Sequence, residues 1–273
     1  MAAHCSAGLT RGLGGFLRGV CGFKVCGPQT APLSQQSRCF FWKKWKSQSH
    51  SVVRPETVRP AYPVPKHIER PDYVGTGVVP EWPDYIEIKN QEQIEGLARA
   101  CQLARHVLLL AGQGLQVYLD GYHGDTSETF LIGEVDEIAQ KLVETARRCR
   151  DEAIAACHPG APLCVIGNTI SKIAHASGFQ VCPYFIGHGI GSSFHCHPEI
   201  WHHANDNDMT MDEGMAFTIE PILMEGSSEF RILKDKWTAV SVDDKRSAQF
   251  EHTVVITANG VDILTKLPEE DNA

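Results

Sequence analysis

Three histidines fall within ten residues of a glycine-rich stretch, and this stretch constrains the chain more than any other. It reads GHGIGSSFHCHP over residues 187–198, with His188 between two glycines and His195 seven positions further on. The flanking glycines let the backbone approach closely whatever the His188 imidazole binds. Because a lone histidine in a polar loop is most often a satisfied surface residue, a functional interpretation depends on the residues that accompany these histidines.

Three carboxylates lie in segments where a charged side chain is costly. Glu220 ends a predicted strand over residues 215–220, and Glu251 lies among apolar neighbours in a predicted strand over residues 247–257. A third carboxylate heads another predicted strand, directly after a hairpin turn. Because buried carboxylates need a partner or a cation, we predict that these three and one imidazole bind a divalent ion of Mn, Fe, Co or Zn. The predicted metal ligands are Asp125, His188, Glu220 and Glu251.

At these residues the sequence resembles the type-1 methionine aminopeptidases, and most closely their mitochondrial form. The resemblance rests on four motifs in the same order, within residues 90–268. They are GYHGDTSETF (121–130), GHGIGSSFHCHP (187–198), GMAFTIEP (214–221) and SAQFEHT (247–253). The resemblance implies the α+β pita-bread fold, in which antiparallel strands are backed by helices and two similar halves enclose two metal ions.

The resemblance also implies the roles of individual residues. Glu220 and His195 are the implied catalytic residues: Glu220 shuttles a proton from a water activated by the metal, and His195 stabilises the developing tetrahedral centre. His195, Phe194 and Trp237 are the implied substrate-binding residues, although an aromatic residue in a strand is more often part of the core. The implied substrate is the N-terminal methionine of a newly made polypeptide whose second residue is small.

The first half of the domain departs from the family pattern. By resemblance, Asp125 and Glu251 bridge two ions, and the other two predicted ligands complete the first ion. The family holds the second ion with a further Asp eleven residues before Asp125, where this chain has Gly114. A catalytic histidine and methionine-pocket residues belong to a family segment that this chain skips near residues 112–116. We therefore expect a truncated N-terminal half, one firmly bound ion rather than two, and little or no aminopeptidase activity.

Residues 1–54 differ in composition from the rest of the chain. Eight Lys and Arg residues precede the first acidic residue, Glu56, so this leader carries +8 and the remainder −16. A basic leader without acids is typical of a mitochondrial transit peptide, and we predict a matrix location with processing near Arg38. The alternative is a disordered basic tail that meets nucleic acid. Because no basic fold motif follows it, we expect no nucleic-acid partner.

The remaining sequence divides into two predicted parts. Residues 55–89 contain seven prolines and predict an extended segment, called the arm below, that lies on the domain or links it to the leader. Residues 90–273 form the predicted metallo-aminopeptidase domain, whose first helix is capped by Asn90 and Gln93 and whose truncation leaves the apolar side chains of Phe130 and Ile132 short of cover. Further helices are predicted over residues 136–156 and 163–177, and strands over residues 180–185, 215–220, 237–242 and 247–257.

Two alternative functions remain open from the sequence. One is a catalytically silent relative that binds metal or peptide without turnover. The other is an X-Pro peptidase of the same fold, against which we note that the chain has no large N-terminal domain. The ten cysteines have no paired spacing, which favours free thiols in a reducing compartment. We expect no membrane span, because no apolar run approaches about 18 residues. We also expect the protein to be a monomer. His202 and His203 are predicted to be solvated and to bind no metal.

Overall fold

A computed structural model describes residues 63–78, 80–111, 115–236 and 238–272, which all fall in one compact unit. The predicted transit peptide, the first part of the arm, Gly112, Gly114 and Trp237 lie outside the described residues. None of the described helices is long and apolar enough to cross a membrane. The six cysteines of the described part are free thiols, as their spacing predicts.

Helix α2 (Gln91–Ala111) begins at the capping box predicted from the sequence. The Gln93 amide donates to Asn90 Oδ1 at 3.0 Å, and the Asn90 amide donates to Gln93 Oε1 at 3.0 Å. The apolar residues at helical spacing are buried: Leu97, Cys101, Ala104 and Leu108. The other helices are α1 (Tyr73–Thr76) in the arm, α3 (Glu137–Ala155), α4 (Cys164–Ala176) and a 3-10 turn (Pro268–Asn272).

The strands form one central antiparallel sheet and three smaller sheets. The central sheet has the order β12-β11-β6-β4-β5, beside a three-stranded sheet β10-β7-β3 and the pairs β1-β2 and β8-β9. The strands are β1 (Leu115–Leu119), β2 (Tyr122–Thr126), β3 (Gln180–Val181), β4 (Gly187–Gly189), β5 (Cys196–Ile200), β6 (Ala216–Ile219), β7 (Ile222–Met224), β8 (Phe230–Ile232), β9 (Ala239–Ser241), β10 (Ser247–Gln249), β11 (His252–Thr257) and β12 (Gly260–Ile263). A core of apolar residues from α3 and α4 packs against the central sheet.

The chain passes between the two larger sheets twice, and a carboxylate lies at each crossing. Glu220 and Pro221 connect β6 of the central sheet to β7 of the three-stranded sheet, and Phe250 and Glu251 connect β10 back to β11. The prediction of one strand over residues 247–257 is therefore wrong. Its two parts pair with different neighbours, β10 with β7 and β11 with β6, so the strand breaks between them. The same pairing brings the two crossings side by side.

The hairpin β1-β2 supplies the remaining carboxylate. Its two-residue turn is Asp120 and Gly121, with φ of 50° and 87°, which is the combination that tight antiparallel hairpins favour. Because β2 begins directly after this turn, Asp125 is the fourth residue of the strand. The prediction that Asp125 heads the strand is therefore wrong. The hairpin forms a two-stranded sheet of its own, and with α2 it makes up the shorter first half. Phe130 and Ile132, which follow it, are 39% and 83% exposed, as the truncation predicts.

Helix α2 lies in direct backbone contact with β2, so we expect Gly124→Ala to be strongly destabilising. A Cβ at Gly124 would stand 2.5 Å from the backbone carbonyl of Ala100, and rigid backbone cannot yield as a flexible side chain would. We expect a loss of roughly 1–3 kcal/mol or more, measured as a melting temperature lower by about 5 °C. Gly75→Ala is the control, because a Cβ there meets nothing within 4 Å. Equal melting of Gly124→Ala and wild type would contradict this packing.

Candidate metal centre

The structure places the four predicted metal ligands in one buried cluster. Asp125, His188, Glu220 and Glu251 are only 4–7% exposed. His188 Nε2 lies 3.6 Å from Glu220 Oε1 and 3.8 Å from Asp125 Oδ2. The charges of Asp125 and Glu220 both act on Glu251. Residues that are up to 126 positions apart in sequence are therefore electrostatic neighbours.

Three of these side chains come from adjacent strands of the central sheet. His188 lies in β4, Glu220 directly follows β6 and Glu251 directly precedes β11. In the β6-β11 register Ile219 pairs with His252, so the next position along each strand sets Glu220 opposite Glu251. Since β4 also pairs with β6, the imidazole completes a row across three strands.

Asp125 comes from the separate hairpin and is tied to β11 by hydrogen bonds. The Thr253 hydroxyl donates to the Asp125 carbonyl at 2.8 Å, and the Thr126 hydroxyl donates to the Glu251 carbonyl at 3.0 Å. The Glu251 amide donates to the Ser127 carbonyl at 2.9 Å. These bonds join the two halves of the domain at the cluster itself, so the position of Asp125 depends on β11.

Glu220 is held by hydrogen bonds at its carboxylate and its backbone. The Thr218 hydroxyl donates to Glu220 Oε1 at 2.9 Å and accepts from the His188 amide at 3.0 Å. Gln249 Nε2 donates to Glu220 Oε2 at 3.4 Å and to the Glu220 carbonyl at 3.3 Å. A carboxylate with both oxygens bonded has a fixed direction, which is what a metal ligand or a proton acceptor requires.

Burial raises the pKa of all three carboxyl groups. The pKa of Asp125 rises to about 7, with the Thr126 amide opposing the shift. The pKa of Glu220 lies well above its ordinary value because of burial and then the Asp125 charge. Glu251 is raised likewise by burial and then by the Asp125 and Glu220 charges. Three carboxylates crowded together in a dry site are thus costly to ionise.

The imidazole of His188 is held in its neutral form. Burial first, and then the neighbouring His195, lower the pKa of His188 to about 3. Its Nδ1 is 3.1 Å from the Gly189 carbonyl, and because a carbonyl only accepts, Nδ1 carries the proton. The lone pair of Nε2 therefore faces Asp125 and Glu220, as metal coordination requires.

The chemistry of this donor set fits a divalent cation. Among the described residues, Asp125 and Glu220 have His188 as their ion-pair partner, and none of the three carboxylates pairs with a Lys or Arg. Metal–ligand bonds of about 2.0–2.2 Å put neighbouring ligand atoms roughly 3–3.6 Å apart, and the two His188 separations, 3.6 and 3.8 Å, lie at the top of this range and just above it. Accordingly, among the described residues no group of three or more such side chains encloses an ion as it stands.

Two of the three predicted substrate-side residues lie next to the ligands. The His195 ring is 4.3 Å from the His188 ring, at an angle of 78°. The ring of Phe194, a buried residue, is 5.5 Å from that of His188. Trp237 is outside the described residues, so its role stays a prediction.

His202 is a member of the site that the sequence pattern missed. It is fully buried, although its polar segment predicted a solvated side chain. Its Nδ1 lies 3.3 Å from the Phe185 carbonyl, and its Nε2 accepts from the Glu220 amide at 3.1 Å. Burial lowers the pKa of His202 to about 4, so the ring is neutral. No signal in the sequence indicates this, because the period-two burial that runs along β5 and continues through Ile200 to His202 is visible only in the structure.

We expect His202→Ala to weaken metal binding, which reverses the prediction from the sequence. The change leaves the buried Glu220 amide without an acceptor and frees the carboxylate to move. Residues that support metal ligands typically contribute about 10- to 100-fold in affinity or activity, and we expect a loss in this range by calorimetric metal titration. His203→Ala is the control, because the half-buried His203 stacks on Trp201 instead. Equal metal affinity in the two variants would contradict the role of His202.

Comparison with known proteins identifies the class of this fold and site. Residues 65–258 match the profile of Metallopeptidase family M24, and the chain belongs to this family. It is therefore a metallopeptidase, and the pita-bread α+β fold and the family predicted from the motifs are confirmed.

Individual relatives narrow the comparison. The chain is similar to "Methionine aminopeptidase 1D, mitochondrial" of Danio rerio, with 57% identity over 340 aligned positions that cover 99% of this chain and 100% of the relative. The Mus musculus protein of the same name is 54% identical over 301 positions, covering 87% and 90%. Methionine aminopeptidase from Thermotoga maritima has a TM-score of 0.64 and 26% identity over 67% of this chain and all of that chain. Prolidase from Pyrococcus furiosus, at 19% identity and a TM-score of 0.53 over 66% and 65%, shares the fold.

The alignment length supports a skipped internal segment. The 340 positions aligned with the Danio rerio protein exceed the 273 residues of this chain, so at least 67 positions of that relative have no counterpart here. Since 99% of this chain is nevertheless aligned, the missing positions are interior to the match. This agrees with the short first half, in which α2 is followed by the hairpin β1-β2.

Proposed function

We propose that this protein removes the initiator methionine from newly made polypeptides whose second residue is small. The observation that carries the proposal is the buried cluster of Asp125, His188, Glu220 and Glu251 with His195 beside it. Relatives with 54–57% identity are named methionine aminopeptidases. The similarity to prolidases and an X-Pro aminopeptidase, at 16–19% identity, concerns the fold alone, so the X-Pro alternative has no support beyond the fold.

Each side chain has a part in this reaction. Asp125, His188, Glu220 and Glu251 would hold a divalent ion, which when bound would lower the pKa of a water and polarise a carbonyl. Glu220, with its direction fixed by Thr218 and Gln249, accepts a proton from the attacking water and returns it to the leaving amine. His195 donates a hydrogen bond to the oxygen of the scissile carbonyl as charge develops there. By resemblance to the family, Phe194 and Trp237 are proposed to contact the methionine side chain.

The finer properties belong to the same proposal. The oxygen-rich donor set suits Mn, Fe, Co or Zn, and we infer one firmly bound ion. The basic leader, residues 1–54, is proposed to direct the protein to the mitochondrial matrix, in keeping with relatives that are named mitochondrial. A reporter fused to this leader that stayed in the cytosol would contradict the location. We further propose that the protein acts as a monomer.

A peptide assay on the full chain tests the proposed function. The sequence predicts little or no activity, but because the four predicted ligands come together in one buried cluster, we expect metal-loaded protein to release methionine slowly from a Met-Ala-Ser peptide, to lose this activity with a chelator and to regain it with Mn²⁺ or Co²⁺. An X-Pro dipeptide is the control and is expected to stay intact. Metal-loaded protein that releases no methionine would favour the silent alternative, and cleavage of the X-Pro peptide alone would favour a prolidase.

A further inference from the structure

The arm places an aromatic side chain directly on the histidines of the site. The ring of Trp82 is stacked on that of His195, with centroids 6.2 Å apart and an angle of 16°. The same indole meets the His197 ring edge-on, at 5.3 Å and 74°. Trp82 is half-buried by these contacts. A segment predicted only as an extended arm thus contributes to the surroundings of the site.

His195 contacts both this indole and a predicted metal ligand. The His188 ring is nearly perpendicular to the His195 ring, at 4.3 Å and 78°, whereas the Trp82 ring is nearly parallel to it. In an offset-stacked pair each ring covers part of a face of the other. Trp82 therefore restricts how the His195 imidazole can tilt relative to the metal cluster.

A second contact ties the arm to the loop that carries His195. The Tyr73 hydroxyl is 3.0 Å from His123 Nε2, and His123 Nδ1 is 3.2 Å from the Gly191 carbonyl. The His123 amide donates to the same carbonyl at 3.0 Å. Because a carbonyl only accepts, Nδ1 is the donor, and Nε2 accepts from Tyr73. Gly191 begins the turn that leads to His195, so this chain of bonds fixes the start of that turn.

A third contact lies at the end of the arm, beneath the same glycine. Lys89 is buried there, and a Cβ at Gly191 would stand 2.7 Å from Lys89 Cε. Its ammonium pairs with Glu87 at 2.9 Å, and Gln93 Nε2 donates to that carboxylate at 2.8 Å. Three separate contacts therefore converge on residues 191–197, which is more than a linker to the leader requires.

We propose that the arm is a working part of the active site and that Trp82 is a positioning residue for His195. This inference rests on the proposed function, in which His195 donates to the scissile carbonyl. When the Trp82 indole stacks on the His195 imidazole, the His195 N–H stays directed at the scissile carbonyl. Without this contact the imidazole exchanges among several rotamers. Displacement of a catalytic group by about 1 Å can cost on the order of 100-fold in rate, so a stacking contact at this position has kinetic consequences.

The test compares variants of the full chain in methionine release. Trp82→Ala is expected to lower kcat roughly 10- to 100-fold and to change KM by less than about threefold, because the change acts on a transition-state contact. Trp82→Phe keeps an aromatic ring and is expected to recover most of kcat. Tyr85→Ala is the matched control, since this arm residue is 65% exposed. Metal content is expected to stay the same in all variants, because Trp82 contacts His195 and His197 rather than the predicted ligands.

Histidine-ring NMR supplies a readout that needs no turnover. The ring current of Trp82 shifts the carbon-bound ring protons of His195, so Trp82→Ala is expected to move these resonances while Tyr85→Ala leaves them in place. If the wild type released no methionine but the His195 resonances moved in Trp82→Ala, the proposed function would fail and the positioning contact would be supported. Trp82→Ala with wild-type kcat, or with unmoved His195 resonances, would overturn the inference.

Discussion

A Glu251→Gln variant is expected to lose the metal ion and yet to be more stable than wild type when both proteins are metal-free. The amide removes one charged ligand, and we expect metal affinity to fall at least roughly 100-fold, since residues that merely support ligands contribute about 10- to 100-fold. Methionine release falls with the metal. The metal-free variant is nevertheless expected to be more stable than the metal-free wild type. Glu251 is a buried carboxyl whose pKa is raised by burial and by the Asp125 and Glu220 charges, so its ionised form destabilises the fold and the neutral amide does not.

The gain in stability has a defined pH dependence. A carboxyl whose pKa is raised by folding lowers the stability of the folded state by about 1.4 kcal/mol per pH unit as the pH rises from the ordinary pKa of the unfolded chain toward the raised pKa of the folded protein, and no further above it. The amide cannot ionise. The difference in unfolding free energy between metal-free variant and metal-free wild type is therefore expected to be small near pH 4 and to grow toward pH 8. Denaturation in chelator at both pH values measures it.

Glu213→Gln is the matched control for this experiment, because it makes the same change at an exposed carboxylate. We expect it to alter neither metal affinity nor the pH dependence of stability. Calorimetric titration with Mn²⁺ compares the three proteins. If Glu251→Gln bound the ion as tightly as wild type, Glu251 would not be a ligand, and the cluster would have to be reassigned.

Titration of the metal-free wild type is expected to show one tight equivalent and a second that is at least about tenfold weaker. By resemblance to the family, one ion would be held by all four donors, whereas a second ion would have only the shared carboxylates of Asp125 and Glu251. Because a two-metal site orients water and substrate together, we expect slower methionine release than from the Danio rerio relative assayed beside it. Radiometric or calorimetric titration gives the stoichiometry, and the peptide assay gives the rate.

Two substitutions sharpen the metal-count prediction. Gly114→Asp restores the carboxylate that the family carries eleven residues before Asp125, and it is expected to tighten the second equivalent and raise turnover. Asp120→Asn is expected to change neither, because Asp120 lies in the hairpin turn with its side chain 63% exposed. Two equally tight equivalents in wild type, one of them lost in Asp120→Asn, would show instead that Asp120 occupies the missing place.

Helices α2, α3 and α4 could be predicted from the sequence because their signals are local, whereas α1 lies in the arm that was predicted to be extended. Asn90 and Gln93 form the expected capping box, and Asp136 caps α3 by accepting from the Ala139 amide at 2.9 Å. Strands β4 and β5 could not be predicted, because glycine, histidine and proline in residues 187–200 hide their alternation. Their pairing is set by β6 and by each other, which is information that no short window of sequence contains.

The motifs located the candidate ligands but not the residues that hold them. Glu220 stood out as a carboxylate in an apolar strand, whereas its partners Gln249 and His202 lie 29 and 18 positions away. His202 looked solvated because its neighbours in sequence are polar, and only the packing of the end of β5 buries it. Trp82 was hidden for a similar reason, since proline spacing describes the shape of the arm and not what it contacts.

The hydrogen bonds between the hairpin β1-β2 and β11 impose an order of events during biosynthesis. The Asp125 carbonyl accepts a hydrogen bond from the Thr253 hydroxyl. Thr253 lies 128 residues later in the sequence and is therefore synthesised later. A chain synthesised from its N-terminus has α2, the hairpin, α3 and α4 available long before β11 appears. The cluster of Asp125, His188, Glu220 and Glu251 therefore cannot assemble until residues 251–257 have been synthesised, so nearly the whole chain must be made before the site exists.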